Sequence, residues 1–578
     1  MALLAYFILE LKFNEAKINS LMIAKTRSVF DAEKLLFTPA SSNTDAIPTI
    51  FAFPNDYSIG ITSLGYQIVW ATLAIRPDLR VSRLFTDIRE ATSNCDPELL
   101  GFSVSWELDY VNILNLLESL GIPIHSQKRN QNHPLVFGGG SVLTANPEPL
   151  ADFFDVVLLG DGEELLDNFI DAYKEVREAD RETKLRHLAQ VPGIYVPSLY
   201  QITYHGLEGT IKAIEPVDSS IPSQVKKQTY RGNTLSASVV VTEKAAWENI
   251  YMVEVVRSCP EMCRFCLASY LTLPFRTASL ENSLIPAIDK GLQVTNRLGL
   301  LGASVTQHPE FESLLDYLGQ SKYEDVRLSI ASVRTNTVTE KLAQTLAQRD
   351  TRSLTIAVES GSERLRQIIN KKLSNQEIIQ AAVNAKKGGL KALKFYGMVG
   401  LPGEEDSDIE ATISMMQQVR KSAPGLRLTL GCSTFVPKSH TPFQWFGVNK
   451  DSQKKLKLLQ KKLGSQGIDF RPESYNWSVI QALISRGDRR LSQLLELTRN
   501  YGDSVGSYKR AFKQLRGKLP SLDFYVHQNW QTNQILPWNH LQGALSQPTL
   551  IKHLQEAKKY FPAANKENLV NPDYGNNG

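Results

Sequence analysis

The stretch "RSCPEMCRFC", residues 257–266, brings three of the chain's five cysteines within eight positions. The clustered cysteines are Cys259, Cys263 and Cys266. Cys95 and Cys432 lie far away in the sequence. An odd number of cysteines with one tight cluster does not fit a disulfide framework. It indicates a protein of the reducing cytosol that binds metal through the cluster.

The number of thiols limits the kind of metal site. A structural zinc ion normally takes four protein ligands, and the nearest histidines, His205 and His308, are more than 40 residues away. A catalytic zinc site made of three thiolates, without histidine or carboxylate, fits its usual pattern poorly. Three thiolates on one loop can instead each bind one iron of a four-iron cluster. The fourth iron then stays open to a small molecule, so the spacing favours such a cluster.

The cysteine loop follows the first of six strand-like segments that alternate with helix-like segments. The six segments are "IYMVEVV", "LGLLGASV", "VRLSIASV", "SLTIAVES", "LKFYGMVG" and "LRLTLGCSTFV". One of the helices between them opens with a capping box, residues 374–377. This alternation predicts a partial (βα)6 barrel of the TIM type over residues 246–450, with its chemistry at the carboxyl ends of the strands.

Polar residues and glycines follow several of these strands. Ser304 closes strand two, Arg334 lies beyond strand three, Glu359 and Ser360 close strand four, and glycines 397–403 follow strand five. Because the carboxyl ends of barrel strands share one face, we expect these groups to line one cavity. An ordinary ion pair at the barrel rim is the alternative interpretation of Arg334 and Glu359.

Residues 45–195 also alternate between strand-like and helix-like segments. The pattern predicts an α/β domain with a Rossmann-like parallel sheet. Glycine turns at 138–140 and 160–162 follow two of its strands, where they either bind a ligand through the backbone or serve as plain turns. The remaining segments are an N-terminal extension (1–44), a connector (196–245), a mostly helical C-terminal region (451–560) and a tail expected to be disordered (561–578).

The bulk composition argues against two classes of partner. A formal charge of +4 on 578 residues, with no long basic block, does not support nucleic-acid binding. The apolar start "MALLAYFILE" is shorter than the ~20 residues of a membrane span. We interpret it as an extra helix or as the result of an upstream start codon, with Met22 as the true start. The sequence therefore predicts a cytoplasmic protein without a membrane span.

The Cys-x3-Cys-x2-Cys spacing resembles the signature of the radical S-adenosylmethionine (SAM) superfamily, and the resemblance covers about 246–445. It implies a 4Fe–4S cluster on Cys259, Cys263 and Cys266, with SAM bound at the open iron. The chain departs from the family at "GLLGAS" (299–304), which has no Glu where the family's Gly-Gly-Glu segment contacts the SAM amino group. The residues that the resemblance implies for SAM binding are Phe265, Gly302, Ser304, Ser332, Arg334, Glu359, Ser360, Gly397 and Gly400.

The first domain resembles the cobalamin-binding-type domain of one branch of the same superfamily. The similarity is carried by "GGGS" and by "NPEPLADFFDVVLLGDGEE". It implies candidate cobalamin contacts at Gly138, Gly139, Gly160 and Gly162. The Asp-x-His-x-x-Gly cobalamin motif is not matched by "NDYSIG" (55–60), so a vestigial domain that covers the barrel or binds substrate is the alternative. Methylthiotransferases need three further cysteines in this domain, which holds only Cys95.

The resemblance implies an enzyme that reductively cleaves SAM to a 5′-deoxyadenosyl radical acting on an unidentified substrate. If cobalamin binds, methyl transfer becomes the leading reaction. A flavodoxin- or ferredoxin-type protein is the implied electron donor. Two other hypotheses are a non-catalytic scaffold stabilised by a metal and a corrinoid-binding protein.

Overall fold

The computed structural model describes residues 29–90, 96–502 and 504–563. Residues 1–28 of the predicted extension, with both candidate start codons, lie outside these ranges. So do Cys95 and residues 564–578 of the tail that we expected to be disordered. Within the described ranges, no helix has both the length and the apolar character needed to cross a membrane.

Five parallel strands and one antiparallel strand form the sheet of the N-terminal domain. In chain order they are β1 (Ile47–Ala52), β2 (Leu79–Leu84), β3 (Leu99–Ser103), β4 (Leu135–Gly139), β5 (Val156–Leu158) and β6 (Ile194–Tyr195). Their spatial order is β2-β1-β3-β4-β5-β6, with β6 antiparallel to β5. The order changes direction between β1 and β3, and open α/β sheets bind ligands at such switch points.

Helices connect these strands. They are Tyr57–Gly60, α1 (Leu64–Ala74), α2 (Tyr110–Ser119), Ser141–Ala145, α3 (Gly162–Glu175) and α4 (Arg181–Leu188). The Ser63 side chain caps α1 by accepting a hydrogen bond from the backbone N–H of Tyr66. In β3, all residues except Ser103 are buried, as expected of a parallel strand covered on both faces.

The second sheet system forms an open, partial barrel of parallel strands. They are β7 (Ile250–Glu254), β8 (Arg297–Leu301), β9 (Arg327–Ile330), β10 (Ser353–Glu359), β11 (Ala392–Val399), β12 (Arg427–Thr434) and β13 (Asp469–Pro472). Strands β7–β9 and β10–β13 pair in chain order, and a bridge between Val333 and Ile356 joins the two groups. The α/β fold class with a partial barrel is thus confirmed.

Helices alternate with the barrel strands. They are Leu267–Leu271, α5 (Ile285–Leu292), α6 (Phe311–Leu318), α7 (Glu340–Gln348), α8 (Glu363–Ile368), α9 (Asn375–Lys387) and α10 (Asp406–Ser422). The capping box of α9 forms between Ser374 and Glu377. The C-terminal region adds α11 (Ser452–Gly464), α12 (Tyr475–Arg486), α13 (Leu491–Asn500), α14 (Val505–Gln514), α15 (Leu522–Val526) and α16 (Gln547–Lys558).

The connector carries short strands that tie distant parts of the chain together. Tyr200–Tyr204 and Ile211–Pro216 form an antiparallel pair. Val225–Lys226 pairs with Leu541–Gln542, and Val240–Val241 pairs with Lys34–Leu35. A further short pair, Val256–Arg257 with Arg276–Thr277, flanks the cysteine loop.

One apolar core runs through the N-terminal domain and the C-terminal helices, whereas the barrel has a core of its own. Buried polar contacts reinforce the first core. Arg489 of the C-terminal region lies 3.0 Å from the fully buried Glu148 carboxylate. Burial would raise the pKa of Glu148, but Arg489 and other donors hold it at about 2. The C-terminal region therefore packs as a partner of the N-terminal domain.

Candidate active site

The three clustered cysteines lie on a tight loop that follows β7. Ser258 and Met262 adopt left-handed backbone conformations, with φ of 70° and 54°. Cys263 is buried, whereas Cys259 and Cys266 are half-buried. The backbone N–H of Cys266 donates to the Cys263 carbonyl at 2.9 Å. The segment that carries the three cysteines thus forms consecutive tight turns.

The segment after α8 fixes the shape of this loop. The Asn370 side-chain amide donates to the carbonyls of Glu261 and Met262, both at 3.0 Å. The Arg264 backbone N–H donates to the Ile369 carbonyl at 2.9 Å. These bonds join the cysteine loop to the carboxyl-terminal side of β10, so two βα units of the barrel build the site together.

Helix α16 of the C-terminal region contacts the same loop. The Tyr270 hydroxyl donates to the Met262 carbonyl at 3.3 Å and lies 3.0 Å from Nδ1 of His553. Glu556 lies 3.5 Å from the Arg264 guanidinium. The loop is therefore held on one side by the barrel and on another by α16.

Burial and mutual repulsion disfavour ionised thiols at this loop. Burial raises the pKa of Cys263 to about 12, and the charges of Cys266 and Cys259 add to the rise. Burial also raises the pKa of Cys266. Lys371 is the neighbouring cation and opposes both shifts. Thiols in this setting need a cationic partner before they can stay ionised, which fits iron as the occupant.

Lys371 is itself buried. Burial would lower its pKa, but Glu359, 3.3 Å away, and the thiols raise it above the ordinary value. Glu359 has a left-handed backbone, with φ of 65°. The Lys371–Glu359 pair thus keeps one fixed positive charge beside the cysteine loop.

No group of three or more His, Cys, Asp or Glu side chains in the described part of the chain is gathered as a site for a single metal ion. A four-iron cluster needs a wider arrangement, because each thiolate binds a different iron. The donor set, three thiols on one loop with a buried lysine, fits such a cluster.

Two of the expected SAM residues are joined through side chains that the sequence did not single out. The Ser304 hydroxyl hydrogen-bonds to the Gln307 side-chain oxygen. The Gln307 amide donates to Glu261 Oε1 at 2.6 Å, and Arg334 Nη1 lies 2.9 Å from Glu261 Oε2. Glu261 lies between the first two cysteines of the motif. Its place inside the loop was the signal available in the sequence.

Other expected SAM residues lie near Glu359. Gly397 of β11 is the strand partner of Glu359. The Ser360 hydroxyl accepts a hydrogen bond from the Ser362 backbone N–H, so it serves the local turn. Ser332 is half-buried between β9 and the Val333 bridge. These positions share the carboxyl end of the barrel with the cysteine loop.

Phe265 and Gly400 have different surroundings. Phe265 is half-buried and packs against the core shared by the N-terminal domain and the C-terminal helices. Gly400 lines a separate cleft of about 440 Å³, together with Lys450 and Asp523, and no other expected SAM residue lines it. The Gly400 N–H donates to Glu404 Oε2 at 2.7 Å.

A larger cavity, of about 490 Å³, lies between the N-terminal domain and the barrel. Gly139, Gly160 and Gly162 of the expected cobalamin contacts line it, and Gly302 lines it from the barrel side. Gly138 does not, because it faces Leu143 and Phe154 in the domain core. The cavity therefore brings together residues that we expected to bind two different ligands.

A charged link crosses the wall of this interdomain cavity. Arg257, two residues before Cys259, lies 2.6 Å from Glu163 and 2.7 Å from Glu254. Arg276 binds Asp161 of the second glycine turn at 2.6 Å. Arg257 lines the cavity and Cys259 begins the cysteine loop, so the two sites share one short segment of the chain.

Two family models match the chain. Residues 253–416 match the model of the radical SAM superfamily. Residues 65–197 match the model of the N-terminal domain of radical SAM proteins. The second match covers most of the Rossmann-like sheet, and the first covers the cysteine loop and most of the barrel.

Individual proteins are similar over larger parts of the chain. Uncharacterized protein MJ0966 of Methanocaldococcus jannaschii is 29% identical over 79% of this chain and 93% of its own length. Uncharacterized methyltransferase PH0819 of Pyrococcus horikoshii is 23% identical over 58% of this chain and 67% of its own. Among solved structures, the radical SAM methyltransferase TsrM of Kitasatospora setae superposes with a TM-score of 0.49 and 14% identity, over 69% of this chain and 74% of its own.

Proposed function

Because this chain belongs to the radical SAM superfamily, an enzyme family that uses a 4Fe–4S cluster and SAM, we propose that Cys259, Cys263 and Cys266 hold that cluster. When bound and reduced, such a cluster would supply the one electron that cleaves the SAM sulfonium to methionine and a 5′-deoxyadenosyl radical, and that radical would take hydrogen from the substrate. A flavodoxin- or ferredoxin-type protein is the proposed source of the electron.

The observation that carries this proposal is the set of three thiols on one loop beside a buried cation. Lys371 offsets the negative charge of the thiolates, and Glu359 keeps the lysine in place. Cys432, the other cysteine in the described ranges, is buried in β12. The loop and its supports also keep bulk water from Cys263. In this proposal the three cysteines bind the cluster, Lys371 balances the charge of the thiolates, and the surrounding loop excludes water.

The test is an anaerobic assay for 5′-deoxyadenosine. Wild type, the triple variant Cys259→Ala/Cys263→Ala/Cys266→Ala and the control Cys432→Ala are reconstituted with iron and sulfide, reduced and given SAM. We expect iron and 5′-deoxyadenosine in wild type and the control, and neither in the triple variant. Stoichiometric zinc with no iron in wild type would contradict the proposal and favour a non-catalytic scaffold.

A second element of the proposal concerns the interdomain cavity. We propose that it takes a corrinoid, so that the reaction is a methyl transfer. Support comes from the size of the cavity, about 490 Å³, from the three expected cobalamin glycines that line it, and from Gly302, which lines it in the expected SAM segment. No histidine lines the cavity among the described residues, so cobalt would bind without a histidine from this wall.

Filling the cavity tests this element. Gly65 lines the cavity, and a Cβ added there meets no atom within 4 Å. We expect Gly65→Phe to prevent cobalamin from staying with the protein through gel filtration, as read from the visible spectrum. The matched control is Gly464→Phe, where a Cβ also meets nothing within 4 Å and which is outside the cavity. Equal retention in both variants would contradict a corrinoid site here, and binding without 5′-deoxyadenosine formation would favour a corrinoid carrier.

A further inference from the structure

The chain lacks an acidic residue in the segment where the family binds the SAM amino group. In "GLLGAS", Ser304 is the nearest polar residue, and its hydroxyl bonds to Gln307. Gln307 in turn donates to Glu261, which comes from the cysteine loop. We propose that Glu261 is the carboxylate that binds the α-ammonium group of SAM, and that Arg334 binds the SAM α-carboxylate. This inference rests on the proposed function.

Glu261 and Arg334 form a partly buried pair of opposite charges. Their side chains are 15% and 9% exposed, and Arg334 Nη1 lies 2.9 Å from Glu261 Oε2. The methionyl end of SAM also carries one positive and one negative charge close together. Each of its charges can bind the oppositely charged member of the pair, which is the pairing that buried charges need.

Both side chains keep hydrogen-bonding capacity for a ligand. Arg334 donates through Nε to Asn336 at 3.0 Å and through Nη2 to the Lys372 carbonyl at 2.8 Å, besides its bond to Glu261. Since a guanidinium has five N–H donors, two remain for a carboxylate. The Glu261 carboxylate accepts from Gln307 and Arg334 and has lone pairs left for an ammonium group.

The position of Glu261 is fixed relative to the three thiols. It lies two residues after Cys259 and two before Cys263, and Asn370 binds its backbone carbonyl at 3.0 Å. An ammonium group held by Glu261 is therefore held at the cysteine loop. The family's acidic residue follows strand two of the barrel, whereas Glu261 of this chain lies in the cysteine loop.

The other ion pair at the site has a different role. Lys371 interacts electrostatically with Cys263 and Cys266, so its charge is used by the thiolates. The Glu261–Arg334 pair is instead joined through Gln307 to Ser304, in the segment where the amino-group ligand is expected. This connection favours the Glu261–Arg334 pair over the Lys371–Glu359 pair as the receptor of the methionyl end.

The test compares SAM with decarboxylated SAM, which keeps the ammonium group and lacks the carboxylate. Both ligands are titrated by equilibrium dialysis against reconstituted protein with an oxidised cluster, so that no cleavage occurs. We expect Glu261→Gln to weaken binding of both ligands by about 10- to 100-fold, the size of one charge-assisted hydrogen bond. Arg334→Gln should weaken binding of SAM by a similar factor and should not weaken binding of decarboxylated SAM.

Controls separate this inference from the proposed function. Glu363→Gln removes an acid that is 57% exposed at the start of α8 and should bind both ligands like wild type. Iron content is measured in every variant. Wild type without iron or SAM binding would refute the proposed function, whereas wild-type affinity in Glu261→Gln would overturn only the present inference. If Glu261→Gln loses iron, the test rests on Arg334→Gln. The inference is then overturned if the ratio of the affinities for SAM and decarboxylated SAM in Arg334→Gln equals the wild-type ratio.

Discussion

The N-terminal sheet and the partial barrel both present the carboxyl ends of their strands to the candidate sites, but they offer different chemistry there. The N-terminal sheet contributes glycine turns such as Gly139-Gly140 and Gly160, next to apolar residues of α1. The barrel contributes two ion pairs, Glu261–Arg334 and Lys371–Glu359. The first face is built mainly from backbone and apolar side chains, with Asp161 and Glu163 at its edge in ion pairs to the barrel, whereas the second is built around its ion pairs.

The two faces tolerate different changes. A backbone-defined face suits a large ligand recognised by shape and fails when a side chain is added. A face made of buried ion pairs suits small charged groups and fails when one charge is removed, because the partner is left unpaired. Single substitutions on and between the two faces test this contrast.

The largest effect is expected at Lys371 on the barrel face. Lys371→Met leaves Glu359 buried without its cation and removes the positive charge beside the thiolates. We expect the apoprotein to lose about 3 kcal/mol of unfolding free energy in urea. Reconstitution should also yield less iron per chain. Wild-type stability together with wild-type iron content would show that the charge on this face is dispensable.

Gly160 tests the opposite face. Its φ is 115°, and a Cβ there would lie 2.0 Å from the Gln228 carbonyl oxygen. We expect Gly160→Ala to cost about 2–3 kcal/mol, from backbone strain and from the displaced Gln228. The control is Gly121→Ala, with φ of 69° and no atom within 4 Å, which should cost only the backbone term, about 1–2 kcal/mol. Equal losses in the two variants would contradict a shape-defined face.

Arg257 connects the two faces and gives a smaller effect. Arg257→Met removes contacts to Glu163 and Glu254, and we expect a loss of about 2 kcal/mol in urea unfolding. Arg352→Met is the control, because Arg352 is 83% exposed and its nearest acid, Asp350, is 3.7 Å away. A change below ~0.5 kcal/mol is expected there. If both variants match wild type, the link between the faces adds no stability.

The smallest effect is expected at Asp109, an acidic residue that comes after β3 in the N-terminal domain. Burial, with a contribution from Glu107, raises its pKa to about 6, although Asn55 donates to it. A raised folded-state pKa means that ionisation costs stability, and this cost appears as the pH rises from about 4 to 6 and persists above. Asp109→Asn should therefore match wild type near pH 4 and exceed it by about 1 kcal/mol at pH 8, after a discount for partial exposure. Urea unfolding of both proteins at pH 4 and pH 8 measures this difference in unfolding free energy. The same difference at the two pH values would contradict the raised pKa of Asp109.

The barrel was readable from the sequence because its strands are buried runs that end at glycines or polar residues. All six expected strands are present. The additional strand β13 was missed, because "DFRP" is short, mostly exposed and ends in proline. Its strand character comes from pairing with β12 and not from its own pattern.

The site was readable only in part. The cysteine spacing is local, so three thiols could be recognised without a structure. Glu261, Gln307 and Lys371 were missed, since each gains meaning from a partner far along the chain. Gln307, for example, is 46 residues from Glu261. Gly400 fits a motif by position, but its surroundings depend on how α11 packs, which the motif does not encode.

The core shared by the N-terminal domain and the C-terminal helices can form only after the whole barrel between them has been synthesised. Asn146 of the N-terminal domain binds the carbonyl of Ser485, which is 339 residues later in the chain. At about 5–20 residues per second, a ribosome needs roughly 20–70 s to synthesise that interval. During this time the first domain waits with an apolar surface uncovered, while the barrel, with its own core, can already fold on the ribosome. The surface of the first domain that the C-terminal helices cover therefore stays exposed until those helices leave the ribosome.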